Sequence, residues 1–201
     1  RRVLFRSFEV SADAVANNAF DALAYIYSQA GNYGDMLCAD DLYALFEVND
    51  VRRALYATGV RGGLPSVFVN KYTVFTGDHT DTKVLRLSEM YLIAAEASLP
   101  ADETGARTYL NAITAQRGAT AISSTGATLV TDLMNERRKE LAFEGQRYLD
   151  MQRLKSDITR GANYPAAARS VPYANFRRVF PIPQTELDVN STIKAQQNTG
   201  W

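Results

Sequence analysis

Cysteine, histidine and tryptophan occur once each, as Cys38, His79 and Trp201. A single cysteine closes no internal disulfide and builds no thiolate metal site. With a single histidine beside it, a Ser/His/Asp or Cys/His catalytic set has little raw material. Cys38 stands in Met36-Leu37-Cys38-Ala39 and reads as a small buried hydrophobe, so the redox compartment stays open. Apolar runs are short too: none reaches the roughly 18 residues of a membrane-spanning helix. A charged-then-apolar leader is also missing, which leaves export undecided. Nor is there an excess of either charge. Lys plus Arg total 22 and Asp plus Glu total 22, so no net field gathers nucleic acid or an anionic membrane. Arg137-Arg138-Lys139 is bracketed by Glu136 and Glu140. No glycine-rich loop followed by Lys is present to cradle a phosphate.

What the chain does hold is helix-forming sequence and aromatics. Its 201 residues suffice for one domain with a core. Arg1–Ser7, RRVLFRS, is the conceptual translation of a sequencing-library adapter, AGACGTGTGCTCTTCCGATCT. Residues 1–7 are therefore expected to be non-native, and the native protein to continue upstream of Phe8. Asn18–Tyr27 is apolar and fits a strand or a short helix equally. Gly31–Asp35 reads as a loop. Asp40 or Asp41 can cap a helix through about Glu47, and Asp50 another through Tyr56. Gly59–Pro65 is a turn-rich break, Val67–Phe75 has extended character, and Thr76–Thr82 is a polar loop.

Helical signals strengthen downstream. Arg86–Leu99 is a helix stopped by Pro100, and Thr104–Arg117 a second ended by Gly118. The short connection and the small residues Ala94, Ala95 and Ala97 make these a tetratricopeptide-like antiparallel hairpin, with no countable repeat beyond it. Leu129–Lys155 is expected to be one helix of about 40 Å at 1.5 Å per residue. Within it, Glu136–Leu154 puts Glu136, Glu140, Phe143, Arg147, Asp150 and Leu154 on one side and Met134, Leu141 and Tyr148 on the other. A helix apolar on both sides is buried, and its charges must then be paired. The pairs Glu144–Arg147, Arg147–Asp150 and Asp150–Arg153 have the spacing to do this. The tail, with Pro165, Pro172, Pro181 and Pro183, is expected to be irregular and to wrap the helices.

Candidate chemistry is sparse. Glu140 and Glu144 have the one-turn separation of a glycosidase pair, yet they lie on a charge-compensated helix. Asp78, His79 and Asp81 could touch a metal, but a solvated loop explains them. Ser88 has capping or first-turn duty. Most aromatics sit at core spacing. Tyr33 differs: flanked by Gly31, Asn32, Gly34 and Asp35, it is expected to be exposed, so Asn32, Tyr33 and Asp35 are the candidate ligand contacts. Trp201 is expected to pack on the tail. No catalytic set, metal or cofactor is expected.

Four motifs, in order, resemble one family, the SusD/RagB-like proteins of Bacteroidota, in their C-terminal half. Arg86–Ala97 (RLSEMYLIAAEA) is similar to the family's RxxEMYLxxAEA helix. Glu136–Arg147 with Asp150 and Arg153 resembles ERRxELxFEGxRxxDxxR. Phe180-Pro181-Ile182-Pro183 with Glu186 resembles PIPxxE. Gln197-Asn198-Thr199-Gly200-Trp201 resembles a terminal QNPGY, departing from it at Thr199 and Trp201. Asp50-Val51-Arg52-Arg53 resembles a DxR step, while Ala115-Gln116-Arg117-Gly118 departs from the commoner RxRAG.

The resemblance spans roughly Phe8 to Trp201 and implies a mainly α fold: the helical hairpin, a long buried helix, long irregular loops and a tail. Residues 8–82 would be a loop-rich ligand-side region and 83–201 a helical scaffold. Charged motif positions Arg86, Glu89, Glu136, Glu140, Glu144, Arg147, Asp150 and Arg153 would form structural ion pairs. The function it implies is capture of glycans or peptides on the outer face of the outer membrane, without cleavage. Delivery would be to a SusC-like TonB-dependent transporter. Membrane contact would come only through a lipidated cysteine upstream of this chain, which Cys38 is not. The rival readings are a tetratricopeptide-type adaptor that binds a protein segment and a glycoside hydrolase using Glu140 and Glu144.

Overall fold

A computed structural model describes residues 7–10, 26–27, 36–72, 74–75, 78–79, 82–161 and 164–201. Asn32, Tyr33, Asp35 and Asp81, with most of Asn18–Tyr27, lie outside the described residues; Ile26 and Tyr27 are helical. The architecture is mainly α, with short strands. The chain divides into two compact units, Arg1–Gly145 and Gln146–Trp201.

The first unit is organised by three helices: α2 (Leu87–Ser98), α3 (Glu103–Arg117) and α4 (Gly126–Glu140). Asp102 starts α3 by accepting a hydrogen bond from the Gly105 amide at 2.8 Å, and Gly118 ends it at φ 67°, a left-handed conformation that suits glycine. Packed together, the helices bury Leu92, Ala95, Ala106, Leu110, Ile113, Leu129 and Leu133 in one aliphatic core. Ala95 and Ala106 are fully buried, and their small side chains let α2 and α3 approach closely. The expected hairpin is present.

A three-stranded antiparallel sheet in the order β2–β4–β3 lies in the same unit, with β2 at Leu37–Cys38, β3 at Tyr56–Arg61 and β4 at Leu64–Val69. The break expected over Gly59–Pro65 is instead a hairpin. Gly62 (φ 57°) and Gly63 (φ 80°) make a two-residue turn whose twist matches the strands, so Gly59 and Pro65 stay extended on either side. The helix expected through Glu47 stops early: α1 is only Asp40–Tyr43, with Ala39 at its N-cap and Asp40 and Asp41 in its first turn. Cys38, Leu42, Phe46, Tyr56, Val67, Val69 and Ala142 form a second apolar cluster. Cys38 is 1% exposed, and burial pushes its thiol up to about 12, as a core residue requires. Within the polar loop expected at Thr76–Thr82, Asp78–His79 is a short strand, β6, paired with β5 (Val74–Phe75). Strand β7 (Thr82–Arg86) pairs with β1 (Ser7–Val10) and leads directly into α2.

The single helix expected over Leu129–Lys155 is two. Helix α4 ends at Glu140, residues 141–145 form turns, and α5 runs Gln146–Arg153 in the second unit. The break is built by backbone geometry. Phe143 takes φ 63° and Gly145 φ 81°, and neither value continues a right-handed helix. Leu141 and Ala142 are buried at the turn, one in each apolar cluster.

In the second unit the tail is less irregular than expected. It has a strand pair, β8 (Ile158–Thr159) with β9 (Ser170–Val171), a helix α6 (Gln184–Val189) and three 3-10 turns. Two of the motifs meet here. Pro181 and Pro183 carry no N–H, so the lone amide between them, on Ile182, must find a partner. Gln197 supplies it, accepting from Ile182 N at 2.9 Å and donating back to Ile182 O at 3.2 Å, while Asn198 donates to Phe180 O. Trp201 packs edge-on to Phe176 with ring centroids 5.3 Å apart, and its indole N–H donates to Val179 O.

Candidate functional site

The densest chemistry in the first unit is a buried ionic centre at the end of α4. Glu136 and Glu140 lie one turn apart on the helix face turned inward, and their side chains are each 1% exposed. Water is excluded there, so every carboxylate oxygen needs a donor. The donors come from distant segments. Asp50 accepts from Arg52 N and Nε through Oδ1, and from Arg52 Nη2 through Oδ2 at 2.7 Å. Its cap on the 3-10 turn Val51–Leu55 thus also aims the Arg52 guanidinium. Arg52 Nη1 then bridges Glu136 Oε1 at 2.7 Å and Glu140 Oε2 at 2.9 Å. Arg117, in the last turn of α3, grips both Glu140 oxygens, at 3.0 and 2.6 Å. Arg86 donates to Glu140 Oε1 at 2.7 Å and to Glu144 Oε2 at 3.1 Å. Lys139 closes on Glu136 at 2.7 Å.

Arg86, joined by Lys71 and Tyr72, also caps the broken helix. Past Glu140 the carbonyls lose their partners in the chain ahead. Arg86 Nη2 donates to Glu140 O at 2.6 Å, Lys71 Nζ to Ala142 O at 2.6 Å, and the Tyr72 hydroxyl to Phe143 O at 2.9 Å. Lys71 also pairs with Glu144. The Phe143 ring meets Tyr27 edge-on at 5.3 Å, and this packing offsets the left-handed backbone at Phe143.

Electrostatics follow from the same contacts. Burial by itself would raise the Glu140 carboxyl, but the Arg117, Arg86 and Arg52 guanidiniums outweigh it and hold the group well below the usual carboxylate range. Asp50 is likewise lowered, its Arg52 partner overcoming the effect of burial. Burial draws the Lys71 ammonium down against the pull of Glu144. Chemically, this is a saturated network. Glu140 accepts four charge-assisted hydrogen bonds and has no proton to give.

Of the sequence-expected charged positions, Arg86, Glu136, Glu140 and Glu144 come together in this centre. Glu89 is half-buried and forms no ion pair among the described residues. In the second unit Asp150 pairs with Arg153 at 3.0 Å, the expected (i, i+3) contact. Arg147 is exposed. Glu144 takes Lys71 and Arg86. Ser88 lies in the first turn of α2, where its hydroxyl accepts from Arg86 rather than capping the helix. Asp50, Arg52, Lys71, Arg117 and Lys139 join the centre without being among the charges expected to pair. The Asp50-Val51-Arg52 spacing and an arginine beside the helix-ending Gly118 are the signals that could have found three of them; Lys71 carries no local signal.

Among the described residues, no cluster of His, Cys, Asp or Glu is suited to a metal ion, and no helix is long and apolar enough to cross a membrane. The class defined by these features is a helical-hairpin protein braced by a buried ionic centre. The SusD family model matches residues 45–201, and the chain belongs to the SusD family. The motif-based resemblance is thereby upheld. A SusD superfamily protein from Bacteroides vulgatus ATCC 8482 superposes with a TM-score of 0.82 at 27% identity, covering 96% of this chain and 46% of that one. A second protein of the same organism gives a TM-score of 0.72 at 30% identity, over 89% of this chain and 42% of that one. Surface glycan-binding protein A from Bacteroides uniformis shares the fold at 24% identity and a TM-score of 0.65, over 83% and 41%. The chain therefore spans less than half the length of each of these structures. No curated protein matches it.

Proposed function

We propose that this chain belongs to a cell-surface protein that binds oligosaccharide and hands it uncleaved to a SusC-like TonB-dependent transporter, held to the outer membrane by a lipid anchor upstream. The observation that carries this reading is membership of the SusD family across residues 45–201. The Bacteroides uniformis neighbour is a surface glycan-binding protein, which points the same way. The ionic centre supports binding over hydrolysis. A general acid needs a proton near neutral pH, whereas Glu140 is held ionised by three guanidiniums. Asn32, Tyr33 and Asp35 remain the proposed ligand contacts, an aromatic face with polar neighbours for hydroxyls.

Incubating the native full-length protein with oligosaccharides tests the reading, with calorimetry for binding and chromatography for products. Binding without new reducing ends is the expected result; released sugar, or no binding to any glycan, overturns it. Tyr33→Ala should weaken binding about tenfold and leave the melting temperature unchanged. Co-purification with a transporter from outer membranes tests delivery.

A further inference from the structure

A cleft of about 400 Å³ opens in the first unit between the α3–α4 connection, residues 45–47 and one side of α4. That volume lies at the small end of the range for small-molecule sites. Its apolar wall is Leu45 and Ile122; its polar surface includes Ser123, Asp132, Asn135 and Lys139.

The hydrogen bonds within this cleft narrow what it could hold. Glu47 is occupied by Thr120, whose amide and hydroxyl both donate to it. Glu136 is occupied by Arg52 and Lys139. Asp132 accepts from Ser124 Oγ through Oδ2 at 2.6 Å and keeps its second oxygen available. The Asn135 amide is half-buried and makes no hydrogen bond among the described residues, leaving two donors and an acceptor for a ligand. With Glu136 neutralised by Arg52 and Lys139, Glu47 and Asp132 leave the cleft net negative, which disfavours phosphate and carboxylate ligands. One carboxylate oxygen and one amide are too few for a metal ion. An apolar occupant would strand the Asn135 and Asp132 groups without partners. A neutral, hydroxyl-bearing ring meets these conditions, with Asp132 and Asn135 as partners for its hydroxyls and Ile122 and Leu45 as the apolar lining for its CH face.

We infer that this cleft is a binding site for one neutral sugar unit, with Asn135 and Asp132 as its hydroxyl-recognising groups. The inference rests on the glycan-binding reading and adds a site to it, separate from Asn32, Tyr33 and Asp35. The test is titration of the ¹⁵N-labelled native full-length protein with methyl β-glucoside, maltose and cellobiose, followed by NMR. At least one sugar should give saturable shifts at the Asn135 side-chain amide and at Ser123, and Asn135→Leu should weaken its binding at least tenfold. Ser123→Trp, an exposed loop substitution that fills the cleft mouth, serves as a second probe should Asn135→Leu disturb folding. Sugar binding that persists in both variants, with shifts elsewhere, overturns the cleft and leaves glycan binding standing. Absence of binding by the unmodified chain to all three sugars overturns the cleft. Failure of the native full-length protein to bind any glycan would separately overturn the wider reading.

Discussion

Along α4, Leu129 and Leu133 are fully buried among the aliphatic side chains of α2 and α3, while one to two turns further on Glu136 and Glu140 are as deeply buried among guanidinium and ammonium groups. The two ends of this helix are stabilised by different physics. Aliphatic burial is non-directional and tolerates some repacking. A buried charge network contributes little over a well-packed apolar equivalent, yet removing one member strands the others. The ionic end is therefore the more brittle. It is also the end where the helix must stop in a set orientation, since Arg86, Lys71 and Tyr72 receive its last carbonyls.

The largest expected effect comes from the ionic end. Glu140→Ala leaves Arg52, Arg86 and Arg117 short of their shared anion and should cost about 3–5 kcal/mol in urea denaturation, the usual cost of breaking a buried pair. Leu133→Ala, at the aliphatic end, should cost about 3 kcal/mol, within the range for a buried leucine. A smaller loss for Glu140→Ala than for Leu133→Ala would dissolve the distinction. The pH dependence sharpens it. Glu140 and Asp50 have lower pKa values folded than unfolded, so between those values the unfolded chain binds more protons and stability rises with pH. Their contribution is complete above the ordinary carboxylate range, about pH 4, and drains as pH falls below it. Denaturation midpoints measured downward from about pH 6 should therefore drop near pH 4. Leu133→Ala should keep that slope and Glu140→Ala should flatten it. The smallest effect belongs to Arg153→Ala in the second unit. Its side chain is 41% exposed whereas Asp150 is only 9% exposed, so the loss should exceed the roughly 1 kcal/mol of a fully exposed pair yet fall short of that for breaking a fully buried one. A melting-temperature loss as large as that of Leu133→Ala would show that exposure is a poor guide to the worth of an ion pair here.

Local signals were readable wherever a residue and its near neighbours settle the outcome. Helices α2 and α3 follow their apolar spacing, Gly118 stops α3 where its φ requires glycine, and Asp50 caps the turn that follows it. The turn at 141–145 was not readable, because Phe143 is an ordinary helix residue by propensity. Its left-handed backbone is held by Tyr72 and Tyr27, which lie far away in sequence. Gly62-Gly63 could have signalled a hairpin, yet the surrounding Gly59 and Pro65 masked the strands. Of the candidate site, the positions of Glu136 and Glu140 were legible as charges that must be paired. Their partners were not.

The amino-acid order alone determined the helical hairpin, the family motifs and the presence of carboxylates on an inward helix face, since periodicity and caps act within a few residues. Only the tertiary structure decided that α4 ends at Glu140 and that Arg52, Arg86 and Arg117 converge there. The physical reason is that a buried charge accepts whichever opposite charge the fold delivers, and that delivery joins segments up to 88 residues apart.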